Sequence, residues 1–360
     1  QINEQEYPLK GIAALYLVSV GKAAVPMAVA AAEILGNVLT EGIVVTKTDP
    51  ENDQNPFDSF SQLVFLESSH PVPDERSLAA GEKILQLLEK TTEKDLVVFL
   101  ISGGGSALIT APVEGVSLAD MSVLTSALLG CGAPIGEINT LRRALDRVKG
   151  GGLARAAAPA QQITLLLSDV VNSPLEAIAS GPTVPNPTNN ADALAILKKY
   201  DLLGEVPESI LQFLEIFPQA PSSHLGSGTE SERCSIIGSN AISAQAAKIQ
   251  AEQEGFFAEV LTTSLEGEAA EVGRELGSSL CSGVFSRYAR TEVLTTRFHR
   301  PFCLILGGET TVTLGDATGL GGRNQEVALA AVKELSGTEK VMLITLATDG
   351  DDGPTDAAGA

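Results

Sequence analysis

Residues 96–108 read Leu96-Val97-Val98-Phe99-Leu100-Ile101-Ser102-Gly103-Gly104-Gly105-Ser106-Ala107-Leu108, and they decide the fold. The unbroken apolar run, with β-branched residues in it, predicts a strand buried on both faces, as in a parallel sheet. It stops at three consecutive glycines flanked by serines. Without Cβ atoms the backbone can turn sharply and bring several N–H groups against an anion. If the apolar residues that follow are helical, those groups sit at a positive helix end that favours phosphate or carboxylate. The same residues also fit a ligand-free strand-to-helix turn, and the stretch alone leaves both readings open.

Working outward, residues 13–20 predict a first strand, leading through Gly21-Lys22-Ala23-Ala24 into an alanine-rich helix that runs to Leu35. Further strands are expected at 42–46, 62–66 and 163–167, with helices at 118–129 and 137–148. Between them, Ser69-His70-Pro71-Val72-Pro73-Asp74 is a proline-stiffened loop whose Asp74 is placed to cap a helix running to Glu89. Strands alternating with helices imply an α/β fold with a doubly wound, mostly parallel sheet covered on both faces. Ligands in such sheets gather at the carboxyl ends of the strands. Lys22, the Ser102-to-Ser106 loop and Asp169 all follow strands directly, so they are expected on one rim.

A Pro- and Asn-rich loop covers 181–190 and a helix is expected over 191–217. The polar stretch 218–232 then marks the boundary between an N-terminal Rossmann-like domain, 1–220, and a smaller α/β domain, 221–360. In the second part, strands are expected at 235–237, 259–261, 301–306, 311–314 and 340–346, and helices begin near Asn240, Glu268 and Asn324.

Two domains also suit the length of 360 residues. The composition, 44% hydrophobic with 19% charged residues and 35 glycines, belongs to an α/β globular protein. The net charge of −21, from 45 acidic against 24 basic residues, repels phosphate backbones and anionic lipid, which argues against nucleic acid and membrane as partners. A small anionic substrate remains open where local cations overcome that field. Cys131, Cys234, Cys281 and Cys303 are scattered without a C-x-x-C pattern, which fits free thiols in a reducing cytoplasm. No apolar run reaches membrane-spanning length. The chain starts almost at a strand and stops just after a motif, so a fragment, cut at both ends, is expected.

Gly21-Lys22 fails as a P-loop, because Tyr16 stands where the first glycine belongs and Ala23 where Ser or Thr belongs. A lysine after a buried strand either snorkels to solvent or meets a phosphate. No G-x-G-x-x-G fingerprint precedes a helix, which counts against hydride transfer. Residues 141–155 concentrate cations: Arg147 and Lys149 suit a helix end capped by Gly150, while the adjacent Arg142 and Arg143 fit that explanation less well. Asp169, in Ser168-Asp169-Val170, can hold Mg²⁺ or accept a substrate proton, or it can be an Asx-turn residue. Glu309 in Gly307-Gly308-Glu309 repeats that arrangement. Arg323 and Asn324 follow the glycine-rich Gly319-Leu320-Gly321-Gly322, where an arginine fork suits a carboxylate or phosphoryl group. Asp349, Asp351 and Asp352 resemble a calcium loop, but Ala360 occupies the position of the bidentate glutamate; a metal-associated rim or a solvated acidic turn remains.

Taken in order, these stretches resemble the glycerate 2-kinase family with a MOFRL-type C-terminal domain. The resemblance rests on Gly21-Lys22-Ala23-Ala24, His70-Pro71-Val72-Pro73-Asp74, residues 102–108 and 141–154, and Leu167-Ser168-Asp169-Val170. It continues through Ile178-Ala179-Ser180-Gly181-Pro182-Thr183, Gly238-Ser239-Asn240, and residues 307–311, 321–326 and 349–359. It implies phosphorylation of D-glycerate by ATP with Mg²⁺, in a cleft between two α/β domains. By resemblance, the essential lysine and arginine fall on Lys22 and Arg323, and active-site acids on Asp169, Glu309 and Asp349. The family usually carries Gly-Asp where Asn172-Ser173 stand and Ala-Gly where Ser68-Ser69 stand. Its helix before the first strand and its closing Thr-Gly-Pro-Thr-Gly-Thr-Asn loop are absent here, so the C-terminal domain is expected to be truncated.

The expected activity is therefore ATP-dependent conversion of D-glycerate to 2-phosphoglycerate, with ATP and Mg²⁺ as cofactors. The catalytic set is Lys22, Arg323 and Asp169. Ser102, Gly103, Gly104, Gly105, Ser106, Glu309 and Asn324 are expected to bind substrate or phosphate, and Asp169 with Asp349 to hold the metal. The alternatives are an NAD(P)H-dependent hydroxypyruvate reductase and a non-catalytic small-anion-binding protein. A homodimer is left open.

Overall fold

The computed structural model describes residues 6–48, 60–170, 173–216, 233–285, 301–315 and 318–360. The boundary stretch 218–232, Phe217 and Asn172 lie outside the described residues. The chain forms two compact units, Gln1–Ser239 and Asn240–Ala360.

The first unit runs β1 (Leu15–Val20), α1 (Ala24–Leu35), β2 (Leu39–Lys47), β3 (Leu63–Ser68), α2 (Glu75–Leu88) and β4 (Leu96–Ser102). It continues with α3 (Gly105–Leu108), α4 (Leu118–Gly130), α5 (Ile135–Leu145), α6 (Gly152–Ala156), β5 (Gln161–Ser168), α7 (Asn190–Lys199), α8 (Glu208–Ile216) and β6 (Cys234–Ser239). Among the described residues the six strands form one parallel sheet in the order β3-β2-β1-β4-β5-β6. The sheet winds outward from β1 to β3, then restarts with β4 on the other side of β1. That reversal is the switch point of a doubly wound sheet, where strand ends open a crevice.

The alternation along β4 shows why its sequence is apolar throughout. Val97, Phe99 and Ile101 pack on one face with Ala80, Ile84 and Leu88 of α2. Leu96, Val98 and Leu100 pack on the other with Ala24, Ala28 and Ala32 of α1. A period-2 strand covered on both sides needs apolar residues at every position. A third cluster gathers α4, α5, α7 and α8 around Leu141, Leu145, Leu197 and Ile210. Asp74 caps α2 as expected: its Oδ1 accepts from the Arg76 N–H at 2.9 Å.

Several expectations are corrected. The helix after the glycine loop, α3, is a single turn. Helix α5 ends at Leu145, before the expected residue 148, because Asp146 is extended and its carboxylate accepts from Thr110 Oγ1 at 2.6 Å and the Ala111 N–H at 3.1 Å. Lys149, expected as a helix-end cation, is 3% exposed and paired with Asp146. The expected helix over 191–217 is broken by a turn between α7 and α8. Strand β6, read from sequence as part of the second domain, pairs with β5 and belongs to the first compact unit, which ends at Ser239.

The second unit contains α9 (Asn240–Gln253), β7 (Phe257–Leu265), α10 (Ala269–Ser282), β8 (Phe302–Gly308) and α11 (Arg323–Leu335). Strands β7 and β8 are parallel, and α9 packs on them. Helices α10 and α11 meet closely where Gly273 faces the Val327 carbonyl. The strands expected at 311–314 and 340–346 do not form. Among the described residues they make only isolated bridges, Glu268 with Thr311 and Leu346 with Gly359. Residues 340–346 have strand-like composition, but a strand needs a neighbour's backbone, and Met342, Ile344 and Leu346 stay exposed at 77%, 72% and 67%.

Phe99 is fully buried at the centre of the first sheet. We expect Phe99→Ala to cost about 3–5 kcal/mol of stability in urea unfolding. A loss under about 1 kcal/mol would show that Phe99 is not part of a packed core.

Candidate active site

The site grows from the close approach of two strand ends. β1 and β4 pair up to Val20 and Ile101, which sets Gly21 beside Ser102. Gly21 has φ +134°, and a Cβ there would overlap Ser102 Oγ. The contact is then locked by hydrogen bonds: the Lys22 N–H donates to the Gly103 carbonyl at 2.9 Å, and the Ala23 N–H to Ser102 Oγ at 3.0 Å. Ser102 therefore holds the β1 turn rather than presenting a free hydroxyl.

Each glycine of the loop admits a specific neighbour. A Cβ on Gly103 would overlap the Asp169 carboxylate, which arrives from the end of β5. A Cβ on Gly104, in left-handed conformation at φ +80°, would stand 3.2 Å from His70 Cδ2 and Nε2 and from Lys22 Cγ. A Cβ on Gly105 would crowd Ala179 at 2.9 Å. The missing side chains are thus what lets a lysine, a histidine and a carboxylate converge on one loop. Ser106 Oγ lies 2.8 Å from Ser180 Oγ. Burial, then the ammoniums of Lys22 and Lys47, hold the His70 imidazole below its ordinary value against the pull of Asp169, so it is neutral at pH 7.

In the second unit, Arg323 opens α11 and forms an ion pair with Glu309, both side chains being about half exposed. A cation at a helix N-terminus opposes the helix dipole. Two carboxylates offset this: Glu309 on the guanidinium and Asp352 on the backbone. Asp352, 2% exposed, accepts from the Asn324 N–H at 2.9 Å through Oδ1 and from the Gln325 N–H at 2.8 Å through Oδ2. The Asn324 side-chain amide also turns to Asp352, at 3.4 Å. The N-terminus of α11 is therefore capped by protein. Asp349 is exposed, and its Oδ1 accepts from the Asp351 N–H at 3.3 Å.

Of the residues singled out in the sequence, Lys22, Gly103, Gly104, Gly105 and Asp169 converge in the first unit, and Glu309 and Arg323 in the second. Among the described residues, no group of three or more His, Cys, Asp or Glu gathers as a protein-only metal cage. The sequence reading named His70 and Asp352 but gave His70 no role at the site and did not foresee Asp352 as a helix cap. His70 follows β3 directly, as Lys22 follows β1, so its strand-end position was the available signal. Asp352 caps a helix some thirty residues upstream, and no local pattern announces that.

A family model described as a domain of unknown function, DUF4147, matches residues 1–215, and the MOFRL family model matches residues 302–360. The chain is 42% identical to a D-glycerate 2-kinase of Thermotoga maritima over 99% of its own length and 80% of that protein. It is 40% identical to a glycerate 2-kinase of Pyrococcus horikoshii, over 99% of its length and 77% of that protein.

The chain belongs to the glycerate 2-kinase family.

The solved glycerate kinase structure from Thermotoga maritima agrees, with a TM-score of 0.82 over 96% of this chain and 78% of that one. Within the family's two-part organisation, the first model covers most of the doubly wound sheet, and the MOFRL match begins at β8. Both family-model matches contain part of the geometry above: Lys22, the glycine loop and Asp169 in one, Glu309, Arg323 and Asp352 in the other.

Gly103→Ala provides a test of the first convergence, because the flexible, exposed Asp169 side chain can yield where a packed one could not. We expect a thermal midpoint within a few degrees of wild type, with turnover reduced about a hundredfold or more as Asp169 is displaced. Full turnover in a folded Gly103→Ala protein would contradict a working role for that contact.

Proposed function

We propose that the chain transfers the γ-phosphoryl group of ATP to D-glycerate and releases 2-phosphoglycerate. The observation that carries this reading is the convergence of Lys22 and Asp169 on the glycine loop at the sheet's switch point. Phosphoryl transfer is mostly positioning and charge neutralisation, and this is what such a set supplies. The Lys22 ammonium serves the phosphoryl oxygens. Asp169 takes the proton of the attacking hydroxyl or holds Mg²⁺. Arg323, oriented by Glu309, is the second catalytic cation, and Asn324 acts as a positioning residue because its amide is engaged by Asp352.

Mg²⁺ fits this donor set, since it is commonly held by one or two carboxylates together with substrate phosphates, and Asp169 offers an exposed carboxylate beside the loop. When bound, the ion neutralises charge on the phosphate oxygens. Among the described residues no helix is long and apolar enough to cross a membrane. The free thiols of Cys131, Cys234, Cys281 and Cys303 support a reducing, cytoplasmic compartment.

Regiochemistry follows from the substrate. Glycerate has one fixed anionic handle, its carboxylate, and the hydroxyl on the adjacent carbon is the nearer to it. A site anchored on the carboxylate holds that hydroxyl in line at lower entropic cost than the terminal one. The reductase reading lacks a dinucleotide fingerprint in the sequence, and an anion-binding module has no use for a carboxylate beside the lysine.

The test is one set of assays on the purified chain. With D-glycerate, ATP and Mg²⁺ we expect glycerate-dependent ADP release and a phosphorus NMR spectrum of 2-phosphoglycerate. Lys22→Ala and Arg323→Ala should each stay folded and lose about a hundredfold or more of turnover. NADH oxidation with hydroxypyruvate in place of ADP release would overturn the kinase reading, and 3-phosphoglycerate as sole product would overturn the regiochemistry.

A further inference from the structure

Helix α5 carries two adjacent arginines whose surroundings differ. Arg143, 7% exposed, spends its donors on the loop before α7: Nε to Asn186 Oδ1 at 2.9 Å, Nη1 to the Glu176 carbonyl at 3.4 Å, and Nη2 to Thr188 Oγ1 at 3.3 Å. A further Nη2 bond reaches Thr140 Oγ1 at 3.2 Å. It is a structural clamp. Arg142 is half-buried, and among the described residues its guanidinium makes one long hydrogen bond, from Nη1 to Asn139 Oδ1 at 3.4 Å.

No carboxylate among the described residues pairs with Arg142. Asp146 is the acid whose charge it feels, but that carboxylate is already used. It accepts from Thr110 Oγ1, from the Ala111 and Val148 N–H groups and from the Lys149 ammonium. A guanidinium taken partly out of water without a counter-ion is costly, and its fork of donors matches a carboxylate. A cation that served only the helix dipole would stand in water, where it costs least. Burial pulls the Arg142 guanidinium below the ordinary arginine value, and the charge of Asp146 offsets only part of that.

The single hydrogen bond points toward the glycine loop. Asn139 Oδ1, which accepts from Arg142, also accepts from Ser180 Oγ at 3.2 Å, and Ser180 Oγ lies 2.8 Å from Ser106 Oγ. Arg142 is thus within three hydrogen-bond lengths of Ser106. The same segment brings Ala179 against Gly105, and both Ala179 and Ser180 hold left-handed backbone, φ +50° and +62°, which non-glycine residues adopt at a cost.

We propose that Arg142 is a specificity-determining residue whose guanidinium takes the carboxylate of the hydroxy-acid substrate beside the glycine loop, with Asn139 setting its orientation. The proposal rests on the kinase reading. It divides the labour within the first unit: Lys22 meets the transferring phosphoryl group and Arg142 the handle that fixes the substrate's orientation.

The experiment is steady-state kinetics of wild type, Arg142→Gln and Arg142→Lys, with thermal midpoints for each. We expect Arg142→Gln to raise KM for D-glycerate on the order of a hundredfold while KM for ATP and the midpoint stay near wild type. Arg142→Lys should recover only part, because an ammonium cannot reproduce the fork. Should Arg142→Gln melt far below wild type, Arg142→Lys carries the test, with a rise in KM confined to D-glycerate supporting the assignment. An unchanged KM for D-glycerate, or both KM values rising together with a lowered midpoint, would overturn it. Wild type without glycerate-dependent ADP release would overturn the kinase reading and this assignment together; active wild type with an unaffected variant would overturn this assignment alone.

Discussion

The structure depends on a backbone approach that no side chain beyond hydrogen would permit. Gly21 sits against Ser102, and Gly103 against the Asp169 carboxylate, at the carboxyl ends of three neighbouring strands. The parallel register of β1, β4 and β5 brings those ends level, and the glycines remove the atoms that would keep them apart. Lys22, His70 and Asp169 then lie against the same glycines. The architecture thus turns a steric allowance into an electrostatic site.

Charge makes the site selective. A chain with a net charge of −21 discourages anions almost everywhere, so an anionic substrate gains only where cations are concentrated and partly shielded from solvent. Lys22 on the glycine loop and the half-buried Arg142 meet that description in the first unit, and Arg323 in the second. Arg323 is a cation at the start of a helix, and the protein answers it with Glu309 and the buried Asp352. A loop that caps α11 this way is a fixture of the second unit, which argues for geometry set before ligand arrives.

Much of this was legible in the sequence because its cause is local. The apolar run of β4 reads as a doubly covered strand, and residues directly after parallel strands share a rim, so Lys22, the glycine loop and Asp169 could be grouped from sequence alone. Asp74 could be assigned as a cap for the same reason. What escaped depends on partners distant in sequence. Residues 340–346 look like a strand, yet strand formation is decided by a neighbouring backbone. Lys149 looks like a helix-end cation until Asp146, turned toward Thr110 and Ala111, ends the helix early and buries the pair. Asp352 reads as one acid in an acidic turn, and only the folded loop shows it on α11. The difference between Arg142 and Arg143 is invisible in sequence, since it lies in what each guanidinium touches.

The central claim is that anionic ligand meets the loop between β4 and α3, while the N-terminus of α11 is reserved for Asp352. Amide-resolved ¹H–¹⁵N NMR on the purified chain tests it directly, with D-glycerate and a non-hydrolysable ATP analogue titrated in and binding verified by calorimetry. The account predicts saturable shifts at Gly103, Gly104, Gly105 and Ser106, and amides of Asn324 and Gln325 that stay where the Asp352 carboxylate holds them. Loop amides unmoved at saturation, with the Asn324 and Gln325 amides shifting instead, would contradict it.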